Sequence, residues 1–140
     1  MDGCHLPVAR AEDLNVENAY YNGWCSSHFT SNVFVFAPDG TIIHATINAP
    51  GSWHGSAVAR ALYQKLMHKT PSGYYLIADT AFPHTAPALE GKIKTPPKTG
   101  CTRYPNDPIE ALQFKHFNEE LVSAKQATEW GMQCLQESFR

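Results

Sequence analysis

Three acidic residues stand where carboxylates can do chemistry. Asp2 follows immediately on what should be a strand and precedes a glycine, Asp79 closes the apolar run over residues 74–78, and Glu129 borders an apolar helical stripe. Carboxylates from two strand ends and one helix can converge in space. Like charges brought together are unfavourable without a cation, and Mg2+ or Mn2+, which prefer oxygen ligands, relieve that cost. Two such ions about 4 Å apart can clamp a phosphodiester, activate a water and stabilise the leaving oxygen. The pattern therefore points to phosphoryl-transfer chemistry. The sequence holds thirteen acids, and the other ten read more plainly. Glu12, Asp13, Glu17, Asp39, Glu90, Glu119, Glu120 and Glu137 read as solvated charges, and Asp107 and Glu110 as helix-capping residues.

Each of the three also has an ordinary reading. Asp2 can be a frayed terminal residue. Asp79 can be a strand-to-loop turn residue. Glu129 can be a surface acid paired with Lys125 at i,i+4, the common arrangement on helices. His54 can support the carboxylates from behind or can be a helix-start polar residue, and Lys125 can support Glu129 or touch DNA. Trp24 and Trp53 read as core or loop-packing aromatics rather than base-stacking platforms. Lys92, Lys94, Lys98 and Arg103 make one loop locally basic, and they read as solvated charges rather than phosphate contacts. Cys4 beside His5 resembles a soft metal pair, but no second pair has suitable spacing. No HExxH is present, so the seven histidines give no support for a zinc hydrolase.

The elements that must position these groups follow from periodicity. A short strand end is expected over residues 1–8 and an irregular loop over 9–27. Residues 29–37 carry the β-branched and aromatic run Val33-Phe34-Val35-Phe36, a strand. Pro38-Asp39-Gly40 makes a turn, and residues 41–47 alternate as a second strand of a hairpin. Pro50-Gly51 breaks the sheet. Val58, Leu62 and Leu66, with Ala59 and Tyr63 beside them, predict a helix over about 56–68. The apolar run 74–78 suits a buried central strand. The segment 80–107, with Pro108 adjoining, gathers six of the ten prolines and is read as irregular. A long helix then starts with Asp107 as N-cap, Pro108 at the first position and Glu110 in a capping-box place. Its stripe is Phe114, Phe117, Leu121, Ala124, Thr128, Met132, Leu135 and Phe139. The order predicts a mixed α/β domain with helices packed on a small sheet.

Bulk composition sets limits. With 140 residues, 43% hydrophobic and 17% charged, the chain suits one globular domain. The net charge of −2 gives no support of its own for nucleic-acid binding. Cys4, Cys25, Cys101 and Cys134 form no CxxC pair and read as reduced thiols, with two disulfides as the alternative. No apolar run approaches the length that spans a membrane. The N-terminus lacks the basic and apolar regions of a signal peptide, and no basic cluster reads as a nuclear address.

Four blocks together give a family resemblance. Met1-Asp2-Gly3-Cys4-His5-Leu6-Pro7-Val8 resembles the Asp-Gly-x-x-hydrophobic block that holds the first catalytic Asp in the DDE superfamily endonuclease family. Pro50-Gly51-Ser52-Trp53-His54-Gly55-Ser56 is similar to that family's Pro-Gly-Ser-x-His-Asp-Ser block. Asp79-Thr80-Ala81-Phe82-Pro83 matches its Asp-x-x-aromatic-Pro block. Phe117-Asn118, followed by Lys125 through Glu129 and a nearby glycine, is similar to its Phe-Asn block and Arg-x-x-x-Glu. The blocks keep the family's order and cover nearly the whole chain.

The resemblance, to the PIF/Harbinger kind of transposase, implies a ribonuclease-H-like mixed sheet flanked by helices. It implies Asp2, Asp79 and Glu129 as catalytic, metal-holding residues, with Mg2+ or Mn2+ as cofactor. The implied substrate is double-stranded DNA of transposon-end type, cleaved in the nucleus. Residues 1–140 read as a single nuclease core cut short at both ends, with DNA affinity supplied by a separate binding partner. Gly55 stands where many members have Asp, and Lys125 where Arg is common. A second reading is a transposase-derived relic that binds a partner or has no activity.

Overall fold

A computed structural model describes residues 1–82, 87–97 and 105–138. Its centre is β3 (Ser27–Phe36), which pairs antiparallel with β1 (Asp2–Pro7) on one side and with β4 (Ile42–Pro50) on the other. Every residue from 29 to 36 is buried, because helices cover both faces of this strand. Val33 and Val35 point to the face covered by α2 (Gly55–Val58) and α3 (Arg60–Lys69), where Val58, Leu62 and Leu66 complete the cluster. Phe34 and Phe36 point the other way, to Cys4 and to Met132 of α4 (Pro108–Ser138). The period-2 alternation of one strand thus feeds two cores, and the chain is a layered α/β structure.

The hairpin forms as its turn residues dictate. The Gly40 amide donates to the Ala37 carbonyl at 3.0 Å, and Gly40 sits at φ 85°, a backbone region open to glycine. Thr41 N–H donates to Asp39 Oδ1 at 2.9 Å, which occupies the Asp39 carboxylate locally. Farther along the pair, β4 carries one extra residue opposite Asn32. Asn48 there adopts φ 60° and donates its N–H to Asn32 Oδ1 at 2.9 Å. Asn32 is buried, and its Nδ2 donates to Cys4 O, Thr30 O and Thr30 Oγ1.

Strands β5 (Leu76–Ile77) and β6 (Ile93–Lys94) form a separate parallel pair. The Met1 nitrogen donates to the Ile77 carbonyl at 2.7 Å and brings β5 beside the start of β1. The strand expected over 74–78 as a buried central one is only Leu76–Ile77, half-buried and outside the main sheet, and Tyr74 is exposed. Lys92 donates to the carbonyls of Thr70 and Pro71 at 2.9 and 3.0 Å, which ties β6 to the end of α3.

Segment 9–27 is not the loop the sequence suggested. It holds α1 (Leu14–Tyr20) and β2 (Tyr21–Asn22), the latter pairing with β3. Asp13 caps α1, accepting from the amides of Asn15 and Val16 at 2.8 and 3.1 Å. Glu17 accepts from Ala11 N–H at 2.9 Å and meets His28 Nε2 at 2.7 Å, so it is not a solvated charge. The junction after β4 is close-packed. A side chain on Gly51 would collide with the backbone carbonyls of Phe29 and Tyr20, which is why glycine follows Pro50 here.

The helix expected over 56–68 is two helices, divided at the fully buried Ala59. Helix α4 begins as expected, with the Asp107 carboxylate accepting from Glu110 N–H at 3.0 Å. Leu121, Thr128 and Met132 of its stripe are buried and Phe114, Phe117 and Leu135 half-buried. Ala124 is exposed instead, and Phe139 lies outside the described residues. Among the described residues no helix is long and apolar enough to cross a membrane.

Candidate functional site

Asp79 directly follows the β5 region, at the surface. Its Oδ1 accepts from Thr80 N–H at 2.6 Å and from the Thr80 hydroxyl at 3.4 Å. Glu129 projects from α4 and lies 3.6 Å from Lys125 Nζ, one turn earlier on the helix. Both acids line one groove of about 500 Å3 with Thr80, Val122, Lys125 and Gln126, walled by Pro96 and Pro97. The structure therefore brings Asp79, Glu129 and Lys125 together.

Asp2 stands on β1 and is not among the residues that line this groove. It is a paired strand residue, directly opposite Phe34, so its side chain shares the sheet face that α4 covers. Its Oδ1 accepts from Gly3 N–H at 2.8 Å. Burial lowers the pKa of the Met1 amino group to about 6; the Asp2 carboxylate opposes this and the Lys125 ammonium adds to it. Lys125 thus acts at the start of β1. Farther along, Gln136 donates to the Cys4 sulfur at 3.6 Å. Gln136 and Cys4 thus join α4 to β1 near the strand's middle, while Glu129 itself is exposed.

The donor chemistry suits a hard divalent ion, since all three candidates offer carboxylate oxygens. The spacing does not. Among the described residues no three His, Cys, Asp or Glu side chains lie close enough to hold a metal ion. The cation found beside Glu129 is Lys125. As arranged, Asp79 and Glu129 share a groove that Asp2 does not line, and the three acids form no ligand set.

The remaining candidates have other places. His54 caps α2, with Nδ1 accepting from Ser56 N–H at 3.3 Å and lying 2.9 Å from the Ser56 hydroxyl; it does not line the groove. Gly55 lies on the opposite side of the sheet, where a Cβ would meet the Phe82 ring at 3.9 Å. Lys94 is not solvated: its Nζ sits 3.9 Å from the centre of the Tyr75 ring and 4.7 Å from that of Phe117. Lys92 is held by carbonyls, and Lys98 and Arg103 fall outside the described residues. Trp24 is 96% exposed and Trp53 is exposed too, which corrects their reading as core aromatics. Cys4, Cys25 and Cys134 are free thiols, and Cys101 lies outside the described residues.

Sequence reasoning passed over Thr80 and Gln126, both of which line the groove. Thr80 carried a signal, being next to Asp79 with a hydroxyl able to hold that carboxylate. A larger cleft of about 710 Å3 lies between α3, the β3–β4 hairpin and α4. It is lined by Leu62, Leu66, Tyr74 and Tyr75, with Lys65 and Lys69 among its polar groups and no acidic residue. It offers no carboxylate chemistry.

Residues 1–140 match the family of the DDE superfamily endonuclease over their full length. No curated protein and no solved structure matches the chain.

Proposed function

Because the chain belongs to the DDE superfamily endonuclease family, we propose that it is the nuclease core of a PIF/Harbinger-type transposase, acting on phosphodiester bonds of double-stranded DNA. The observation that carries this reading is the shared groove of Asp79 and Glu129, with Asp2 on the α4-facing side of β1. A mixed sheet with antiparallel β4, β3 and β1, β5 beside the start of β1, and helices on both faces supports a ribonuclease-H-like fold. In this reading residues 1–140 form one core, Asp2, Asp79 and Glu129 are the carboxylates for Mg2+ or Mn2+, and Lys125 adjoins them. The family resemblance supports a nuclear location; the net charge of −2 gives no support of its own for nucleic-acid binding, so the reading includes a separate DNA-binding partner protein.

The chain's own contribution is positional. Thr80 holds the Asp79 carboxylate toward the groove by two hydrogen bonds. Strand pairing with β3 fixes Asp2, and the packing of Met132 and Thr128 fixes the level of Glu129. A divalent ion would supply charge neutralisation at the scissile phosphate. Supercoiled-plasmid nicking with Mn2+, compared between this chain and Asp79→Asn, tests the reading. Nicking that needs both the ion and Asp79 is the expected result, and equal nicking by both proteins overturns it.

A second reading, a non-catalytic relic that binds a partner, is favoured by the Lys125–Glu129 pair standing where a closed acidic set is required. It expects no nicking by either protein.

A further inference from the structure

The larger cleft, between α3, the β3–β4 hairpin and α4, shares no lining residue with the groove of Asp79 and Glu129. It measures about 710 Å3, and the buried Leu62 and Leu66 of α3 line it. Apolar surface continues outward from there. Ile43 of β4 and Tyr74, just before β5, also line the cleft and are 61% and 69% exposed. Its charge has one sign. Lys65 and Lys69 line it, and no acidic residue does. Leu62, Lys65, Leu66 and Lys69 share one face of α3 by their spacing. Both lysines are exposed, and among the described residues neither pairs with a carboxylate. Lys65 Nζ lies 3.2 Å from Nδ1 of His44, another cleft residue, which keeps the ammonium at the cleft. Like charges four residues apart on a helix repel. Lys69, in the last turn, complements the helix dipole. That leaves Lys65 and the exposed Ile43 and Tyr74 without a role inside this chain.

We propose that this cleft is a docking site for an acidic amphipathic helix of a partner protein, its apolar stripe against Ile43, Tyr74 and the leucine floor and its acids against Lys65 and Lys69. Charge complementarity sets the sign of the occupant, since every charged side chain at the cleft is a cation. Spacing sets its form. A small-molecule site gathers its polar groups onto one point. Here the two ammonium groups are strung along α3 one turn apart, and acids at i,i+4 of a second helix repeat that step. An apolar stripe laid in a hydrophobic groove is the matching recognition mode. Single-stranded nucleic acid also offers anions, and its bases stack on tyrosine. Against it, the floor is leucine, and the chain's net charge of −2 opposes a polyanion more than a short acidic helix.

The probe is a fluorescein-labelled peptide of about 18 residues, long enough to hold a helix. It carries leucines at i, i+3, i+4 and i+7 of each repeat and glutamates flanking them. Its binding to the full chain is read by fluorescence polarisation. The expected result is saturable binding that weakens as salt is raised. Lys65→Glu with Lys69→Glu should weaken it about tenfold or more, the scale of two exposed ion pairs replaced by repulsion. Ile43→Ser with Tyr74→Ala should weaken it about tenfold or more as well, and Lys115→Glu, outside the cleft, should not. A peptide with lysines in place of the glutamates should bind the Lys65→Glu, Lys69→Glu protein better than the parent, which a misfolded variant would not do. Equal binding of a scrambled peptide of the same composition overturns the proposal, because the stripe is then irrelevant. So does binding that ignores both double variants, or no binding up to about 1 mM, the weak end of specific association. Tighter binding of a thymidine oligonucleotide than of the peptide, lost in the same double variants, overturns it in favour of a nucleic-acid surface.

Discussion

Gly131 of α4 lies against the Phe36 ring so closely that a Cβ added there would stand 2.5 Å from two ring carbons, Cδ1 and Cε1. This contact sets the distance between α4 and the sheet, and so the reach from Glu129 to β1. Alanine in place of a helical glycine ordinarily stabilises by about 1 kcal/mol. Overpacking a filled core costs about 1–3 kcal/mol. Phe36 is buried beside Phe34 and Met132, so moving its ring would disturb that cluster. Gly131→Ala is therefore expected to lower stability by about 1–2 kcal/mol in denaturant unfolding, and Phe36→Leu in the same chain to restore part of it. A Gly131→Ala protein more stable than the parent would show that α4 is not seated this way.

Asn32 is expected to be among the costliest polar positions to change. It is 2% exposed, and its amide serves Cys4, Thr30 and Asn48 across three strands. Leucine has a similar volume but leaves the Cys4 carbonyl and the Asn48 N–H without these bonds. Unsatisfied buried groups cost about 1–3 kcal/mol each, so Asn32→Leu should lose about 2–4 kcal/mol. Urea unfolding measures it, and a loss under 1 kcal/mol would mean that water replaces the side chain.

Stability should fall in mild acid through two histidines. His44 has its pKa held below the ordinary 6.5, first by burial and then by the Lys65 ammonium. Lys65 Nζ lies 3.2 Å from His44 Nδ1, which therefore accepts, leaving Nε2 to donate to the Thr46 hydroxyl at 3.4 Å. Burial lowers His5 likewise, where the ring stacks on Phe29 at 4.1 Å. In both, the unfolded chain takes up the proton first, so their contribution is complete above about pH 6.5 and is lost as pH falls below it. Melting curves from pH 8 to 5.5 should show this loss, and His44→Gln with His5→Gln should flatten it. An unchanged slope in the double variant would assign the acid sensitivity to other groups.

Asp79→Asn separates chemistry from fold. The asparagine carbonyl can still accept from Thr80 N–H, and the position is exposed, so stability should stay within about 0.5 kcal/mol of the parent. Mn2+-dependent nicking should fall to the level seen without metal. A large loss of stability instead would mark Asp79 as a structural turn residue.

Much of the fold could be read from residue order because packing and periodicity coincide there. The β3 run, the Pro38-Asp39-Gly40 turn, the Asp107 cap and most of the α4 stripe, Ala124 excepted, follow local rules and stand in the structure. Helix α1 was not legible because none of its residues is buried, so no apolar stripe marks it; its start is written in the Asp13 cap alone. The division of α2 from α3 at Ala59 depends on close approach of the core, which periodicity does not encode. The candidate site was legible as residue types, and Asp79 and Glu129 do share a groove. That the inner position is taken by Lys125 depends on which side of α4 turns inward, a tertiary fact. The roles of Lys92 and Lys94 are likewise tertiary, since a carbonyl pair and two rings reach them from distant segments.

Phe82 lies between two positions that lack side chains. A Cβ on Gly3 would meet its ring at 3.8 Å and one on Gly55 at 3.9 Å. Gly3 and Asp2 point to opposite faces of β1, so this ring lies behind the strand that carries the first carboxylate. The Cβ of an aspartate at position 55 would therefore meet Phe82 at ordinary van der Waals distance, behind β1 and on the far side from Glu129. Strand β1 would stand as a partition between the added charge and the face that Asp2 shares with α4.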